Sequence, residues 1–267
     1  MGSGVCGRGR MVSRIEDNFL GSYKIKLDSA YPIDRYIMEL GTWELHVVHL
    51  IHRFVKPGDV CVDVGANAGY HTLPMAGAVG PKGCVYAFEP NDITYTKLIE
   101  NLELNPTLKE RVSVVKMGLA SEEGEMKIFQ SGAEPGNAYI SNTFKEELWN
   151  MGTADDFIRC RVVRLDSYLK DSSRVGLIKI DVEGMEYSVL KGADGILKRD
   201  QPTIIYETLL NNFSHELILK TDAYLRSLEY EVLGIDPNTD KLVPVVYPNF
   251  GADTVAIHKS KLANAPI

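Results

Sequence analysis

Val60-Cys61-Val62-Asp63-Val64-Gly65-Ala66-Asn67-Ala68-Gly69 decides the fold of this chain. Its first five residues are apolar except for Asp63, the pattern of a strand buried on both faces. Small residues and two glycines follow, and a helical segment begins directly after them. A buried strand that passes through a glycine-rich turn into a helix opens a doubly wound α/β sheet. Glycine lets the turn adopt positive φ and approach a ligand closely. Asn67 stands where a dinucleotide fingerprint has glycine, and asparagine is among the few other residues that tolerate left-handed geometry.

Outward from this stretch the rhythm repeats. Cys84–Phe88 reads as a second strand ending in Glu89-Pro90. Asp92 reads as the cap of a helix to Leu104, stopped by Asn105-Pro106, and Val112–Val115 as a third strand. Leu177–Asp181 and Thr203–Glu207 are further core strands. Helical segments lie at Tyr187–Arg199 and Glu216–Leu228, and closing strands at Tyr230–Ile235 and Thr254–His258. The pattern predicts a Rossmann-like α/β domain over 57–267 with helices on both faces. Before it, residues 21–56 form an extension: a strand at Tyr23–Leu27, a short helix capped by Asp34, and a helix over Trp43–Phe54 stopped by Pro57-Gly58. Residues 1–20 read as a disordered leader. An insertion at about 131–158 breaks the rhythm and is either an active-site lid or a surface extension.

The formal net charge is −7, and no long Lys/Arg run appears. Tracking a phosphate backbone needs a basic stripe, so nucleic acid is a poor partner for this chain. The four cysteines form no CxxC pair and read as reduced and structural, which suits the cytoplasm. No apolar stretch reaches the 18 or so residues of a membrane span.

Asp63, Glu89 and Asp181 each end a strand, so all three should meet at the carboxyl edge of the sheet, where such folds bind ligands. Glu89 lies about 20 residues past the glycine loop, where an acid holds ribose hydroxyls. Asp63 would repel a dinucleotide pyrophosphate; it suits a ligand bearing an ammonium and a sulfonium, as S-adenosylmethionine does. In Asp181-Val182-Glu183-Gly184, two carboxylates separated by one residue could act as a base on a hydroxyl or hold a divalent metal. Alternatively they cap a helix, with Glu183 and Glu186 near its dipole. His46, His49 and His52 fall at helical spacing and read as one helix face, without acids placed to complete a metal site.

Together, Asp63–Thr72, Phe88-Glu89-Pro90, Leu165-Asp166-Ser167-Tyr168-Leu169 and Ile178–Glu186 resemble the FkbM family of class I methyltransferases. The resemblance runs from about Asp34 to Glu207. It implies S-adenosylmethionine as methyl donor and a hydroxyl acceptor on a sugar, glycolipid or secondary metabolite. It also implies a mostly parallel sheet with one antiparallel strand, which Thr254–His258 could supply. Gly65, Asn67 and Gly69 would pass under the methionine part of the donor, with Asp63 and Asp181 near its ammonium. Glu89, followed by Pro90, would hold the ribose. Asn91, Met117 and Gly118 are candidates for the adenine pocket. Glu44, in a segment where an acid can approach the active site, joins Asp181, Glu183 and His71 as possible bases; the sequence singles out none. Three other readings compete: a nucleic-acid methyltransferase, a NAD-dependent oxidoreductase, and a non-catalytic module that kept the cofactor fold. The first lacks its Asn/Asp-Pro-Pro-aromatic motif after the fourth strand, and Asp63 disfavours the second.

Overall fold

The computed structural model describes residues 12–130, 138–140, 157–170, 174–208, 215–236, 239–245 and 253–266. β1 (Ser13–Phe19), β2 (Tyr23–Asp28), α1 (Pro32–Leu40) and α2 (Leu45–Phe54) precede the core. β3 (Val60–Val64), α3 (Thr72–Val79), β4 (Cys84–Phe88), α4 (Asp92–Glu103), α5 (Pro106–Lys109) and β5 (Val112–Val115) form its first half. β6 (Gly118–Leu119), β7 (Gly124–Gln130), β8 (Ala138–Ile140) and β9 (Phe157–Val163) interrupt it as a separate four-stranded sheet. The second half runs through α6 (Leu165–Tyr168), β10 (Val175–Ile180), α7 (Glu186–Gly192), α8 (Asp194–Asp200) and β11 (Thr203–Glu207). α9 (His215–Ser227), β12 (Tyr230–Ile235), β13 (Leu242–Pro244), β14 (Asp253–His258) and α10 (Lys259–Leu262) complete it.

The central sheet has the order β13-β12-β14-β11-β10-β3-β4-β5. Strands β5, β4, β3, β10 and β11 are parallel neighbours. β14 runs antiparallel to β11 and to β12, as expected for Thr254–His258. The short β13 adds a second strand of that direction, antiparallel to β12. Chain order reverses between β3 and β10, and the glycine loop leaves the sheet at that switch point.

Side-chain alternation along β3 and β10 feeds two cores. Val62, Val64, Ile178 and Ile180 pack on Val189, Leu190, Ile196 and Leu197 of α7 and α8. Cys61 and Leu177 pack on the opposite face, against Val47, Leu50 and Ile51 of α2 and Met75 and Val79 of α3. Both faces of the sheet are therefore covered by helices, which explains the unbroken apolar runs. Cys61, Cys84 and Cys160 are free thiols, and Cys6 lies outside the described residues. Among the described residues, no helix is long and apolar enough to cross a membrane.

Several local expectations are corrected. Ser13–Phe19 is a strand paired with β2 rather than part of a leader. Only Phe19 of it is buried, so no alternating apolar signal marked it; residues 1–11 lie outside the described residues. Asp34 does not cap its helix. Tyr31 in extended geometry and Pro32 start α1, and the fully buried Asp34 carboxylate accepts from Asp28 N, Tyr70 Oη and Lys97 Nζ. The helix expected from Trp43 begins at Leu45, because Glu44 takes a left-handed φ of 43°. Tyr187–Arg199 is two helices, broken where Gly192 comes so near Ala120 O that a Cβ would lie 2.1 Å from it. Of the 131–158 insertion, β8 pairs with β7, and β9 begins at Phe157. The rest, on which the choice between lid and surface extension depends, lies outside the described residues.

Candidate active site

Gly65 N and Ala66 N both donate to Phe88 O at 3.0 Å, tying the loop to the end of β4. Gly65 has φ +77°, and a Cβ there would lie 1.9 Å from Asp181 O. Glycine is thus required by the meeting of two backbones at the switch point, beyond any need of a ligand. Gly69, at φ +91°, admits Leu98, whose Cδ1 would be 2.7 Å from a Cβ. Asn67 adopts φ 49°, as its side chain allows.

Glu89 is buried and held from two sides. Asn67 N donates to its Oε2 at 2.8 Å, and Asn91 N to its Oε1 at 2.9 Å. Burial raises its proton affinity, and these two N–H groups act against that rise. Asn91 is 1% exposed and spends its Oδ1 capping α4 through Ile93 N. Its Nδ2 is buried without a hydrogen-bond partner, a donor beside Glu89 that the fold leaves unused. Pro90 joins these two residues. Gly118 is taken up in the ladder with β9, and Met117 packs partly buried against the main core.

On the other side of the loop the charges are concentrated. Asp63 has no exposed surface; its Oδ2 accepts from Thr72 Oγ1 at 2.6 Å, and its Oδ1 has no partner. The ammonium that acts on it within the protein is that of Lys179, a residue to which the sequence reading gave no role. Lys179 is 4% exposed and donates to Asp181 Oδ2 at 2.9 Å. Burial pulls its pKa down, and Asp181, Asp63 and Glu44 together push it up further, so it stays charged. A lone lysine inside the apolar run Leu177–Ile180 was the signal: buried lysine needs carboxylates.

Glu44 Oε2 lies 3.6 Å from His71 Nε2. His71 is buried, and that nitrogen has no hydrogen-bond partner. Burial, Lys179 and His46 hold its pKa well below the usual value, so the ring is neutral. Burial and the nearby Asp253 raise the Glu44 carboxyl, against the pull of Lys179.

The turn after β10 carries the remaining acids. Glu183 sits at φ 51° and Gly184 at φ 96°. Glu186 fastens the turn by accepting from Gly184 N at 3.1 Å. Burial, with Asp181 and Glu186 beside it, pushes Glu183 up to about 7. Glu207, at the end of neighbouring β11, is raised by burial and then by Asp181 and Glu183. One oxygen from each of Asp181, Glu183 and Glu207 lies within 4.8 Å of the other two. The parallel register that pairs Ile180 with Tyr206 brings Glu207 there; its signal was a strand ending in an acid. β14 delivers Asp253 to the same edge, 2.7 Å from His46 Nε2, and Asp240 lies 2.6 Å from His49 Nδ1. The histidine face of α2 therefore does meet acids, from positions more than 190 residues away in sequence that spacing could not reveal.

Glu44, Asp63, His71, Asp181 and Glu183 are thus brought to one edge, with Glu89 and Asn91 one strand away. Such an edge suits cationic groups and disfavours a pyrophosphate. The FkbM methyltransferase domain matches residues 63–232. Methyltransferase sdnD of Sordaria araneosa is 31% identical over 156 residues, 50% of this chain and 60% of the relative. Hexuronic acid methyltransferase AglP of Haloferax volcanii is 29% identical over 157 residues, 58% of each chain. The 31-O-demethyl-FK506 methyltransferase FkbM of Streptomyces tacrolimicus is 30% identical over 165 residues, 52% of this chain and 61% of the relative. This chain spans about three fifths of the length of these curated relatives. Among solved structures, methyltransferase FkbM from Methylobacillus flagellatus shares the fold, with a TM-score of 0.50 and 16% identity over 79% of this chain and 50% of that one. From Asp63, which opens the glycine loop, to Val232 in β12, the chain carries the FkbM methyltransferase domain and belongs to that family.

Proposed function

We propose that this chain transfers the methyl group of S-adenosylmethionine to a hydroxyl of a sugar, glycolipid or secondary metabolite. The observation that carries the reading is Glu89. Two backbone N–H groups, from the glycine loop and from the residue opening α4, fix its carboxylate in one orientation. The unused Asn91 Nδ2 beside it fits an acceptor atom of an adenosyl group. When bound, S-adenosylmethionine supplies a methyl carbon already bonded to a sulfonium leaving group. Glu89 accepts ribose hydroxyls, and Asp181 compensates the ammonium while Lys179 holds that carboxylate in place. Glu183 would take the proton of the acceptor hydroxyl, and the bound donor would supply the methyl group to that oxygen and leave as S-adenosylhomocysteine. Glu207, raised by burial and its acidic neighbours, carries a proton and relieves the repulsion among the three carboxyls.

The closeness of the Asp181, Glu183 and Glu207 oxygens supports a second reading, in which the three hold a divalent cation. The ion would lower the proton affinity of the acceptor hydroxyl. Dialysis against EDTA separates the two: lost turnover, restored by magnesium or manganese, selects the cation, and unchanged turnover selects Glu183 as base. In the latter case Glu183→Gln lowers kcat by about 10²–10⁴-fold with donor affinity intact. The donor itself is tested by thermal unfolding with S-adenosylmethionine, S-adenosylhomocysteine and NAD. At 100 times its Kd a native-state ligand adds about 2.7 kcal/mol, a shift of roughly 5–10 °C at this size. Stabilisation by both adenosyl ligands that disappears in Glu89→Ala supports the proposal; stabilisation by NAD alone sinks it.

A further inference from the structure

The amino edge of the sheet, opposite the acids, has the reverse electrostatic character. There the end of α2, the turn before β3, the starts of β10 and β11, and the chain around α10 enclose a cavity of about 750 Å³. Arg53, Lys56, Arg174 and Lys261 line it against a single acid, Asp59, in a chain of net charge −7. Three of these cations are held by backbone carbonyls, which fix a position without cancelling its charge. Arg53 Nη1 donates to Asp240 O at 3.0 Å. Arg174 donates through Nε and Nη2 to Asp200 O at 3.2 and 3.1 Å. Lys261 Nζ donates to that same oxygen at 3.3 Å and to Gln201 O. Two positive charges therefore converge on one carbonyl. The Asp200 carboxylate is engaged elsewhere, by Arg199 and Val175 N. Burial and then the adjacent Arg174 lower the proton affinity of Lys261, and the nearby Asp200 and Asp59 carboxylates do not outweigh them.

We propose that this cavity is a second binding site, for a phosphorylated small molecule, on the opposite edge of the sheet from the methyl-donor site. Guanidinium and ammonium groups converging from four segments suit a phosphate with more than one negative charge. Phe54 and Ile257 add an apolar wall for an organic part. The volume lies within the roughly 300–1,000 Å³ of small-molecule pockets, larger than inorganic phosphate needs. The cavity also adjoins the starts of β3 and β10, whose far ends carry the glycine loop and Lys179.

The test is calorimetric titration of the full chain, saturated with S-adenosylhomocysteine and held at constant ionic strength. The probes are pyrophosphate and glucose 6-phosphate, with glucose as the uncharged control. Binding of a phosphate probe but not of glucose is expected, weakened at least tenfold in Lys56→Glu and in Arg53→Ala. Thermal unfolding of each variant verifies that it is folded; should Arg53→Ala not be, Lys56→Glu alone decides. No binding of either probe at millimolar concentration overturns the proposal. So does equal affinity in Lys56→Glu, or probe binding that appears only when S-adenosylhomocysteine is left out.

Discussion

Two buried charge clusters in this protein are built to opposite rules. Beneath the N-terminal extension, Asp34 is fully buried and satisfied: its Oδ1 accepts from Tyr70, and its Oδ2 from Lys97 and Asp28 N. One acid faces one cation and one neutral hydroxyl. At the carboxyl edge of the sheet, Glu44, Asp63, Asp181 and Glu183 share the one cation of Lys179, and Glu186 and Glu207 crowd Asp181. There Asp63 Oδ1, His71 Nε2 and Asn91 Nδ2 have no hydrogen-bond partner. A network that satisfies itself needs nothing more; one left with excess charge and unused atoms is arranged for something that arrives. The first stabilises the fold; on the proposed function, the second gives up stability for binding.

The largest expected effect tests that division. Asp34→Ala leaves Lys97 buried without its counter-charge, and breaking a buried pair in this way costs about 3–5 kcal/mol. Glu207→Gln removes one of several crowded acids, so stability should stay within about 1 kcal/mol of the parent or rise, while methyl transfer falls. Urea unfolding of the two variants reads the contrast. A cheap Asp34→Ala together with a costly Glu207→Gln would break the comparison.

The next effect concerns how rigidly the acid edge is held. Gly65→Ala forces a Cβ to 1.9 Å from Asp181 O at φ +77°. Left-handed geometry costs about 1–2 kcal/mol, and overpacking adds about 1–3 kcal/mol. Because the displaced atom belongs to Asp181, donor binding should weaken along with stability. A variant with lowered Tm but the parental Kd for S-adenosylhomocysteine would show that the loop and the Asp181 turn act separately.

The same contrast explains what the sequence disclosed. The sheet was legible because each core strand is covered on both faces and therefore reads as an apolar run. The glycine loop, Glu89 and Asp181 were legible because a strand end fixes where its last residue lies. Glu207 and Asp253 were not assigned, because their place depends on which strands become neighbours. The Asp34 network joins residues 63 positions apart, and no local pattern announces it. Asp166, part of a family motif, is structural: its carboxylate accepts from Gly195 N and Ile196 N, both at 2.9 Å, and caps α8 across the fold. Asp166→Ala should therefore cost about 1 kcal/mol, seen in Tm, with kcat unchanged.

The smallest effect is the dependence of stability on pH, and it belongs to the acid edge. The hydrogen bond to Asp253 raises the His46 pKa above its ordinary value of 6.5. A group raised on folding contributes fully below its unfolded pKa and loses that contribution as pH climbs through the folded one. Glu183 and Glu186 act in the same sense from about 4.5 to about 7, since the folded chain keeps their protons longer. His71, kept neutral by burial, acts in the opposite sense up to 6.5, but Glu44, raised to about 8, adds to the decline, so stability should fall from pH 5 through pH 8. His46→Gln should remove the part of the decline that begins near 6.5, up to about 1 kcal/mol for a partly exposed ion pair. Asp34→Ala, whatever its overall cost, should leave the slope in place, because His46, Glu183 and Glu186 sit at the other cluster. Urea midpoints of the three proteins across this range give the slopes. Parallel curves for His46→Gln and the parent would locate the titration elsewhere, and a flattened curve for Asp34→Ala would mean that the two clusters are coupled through α1 and the loop.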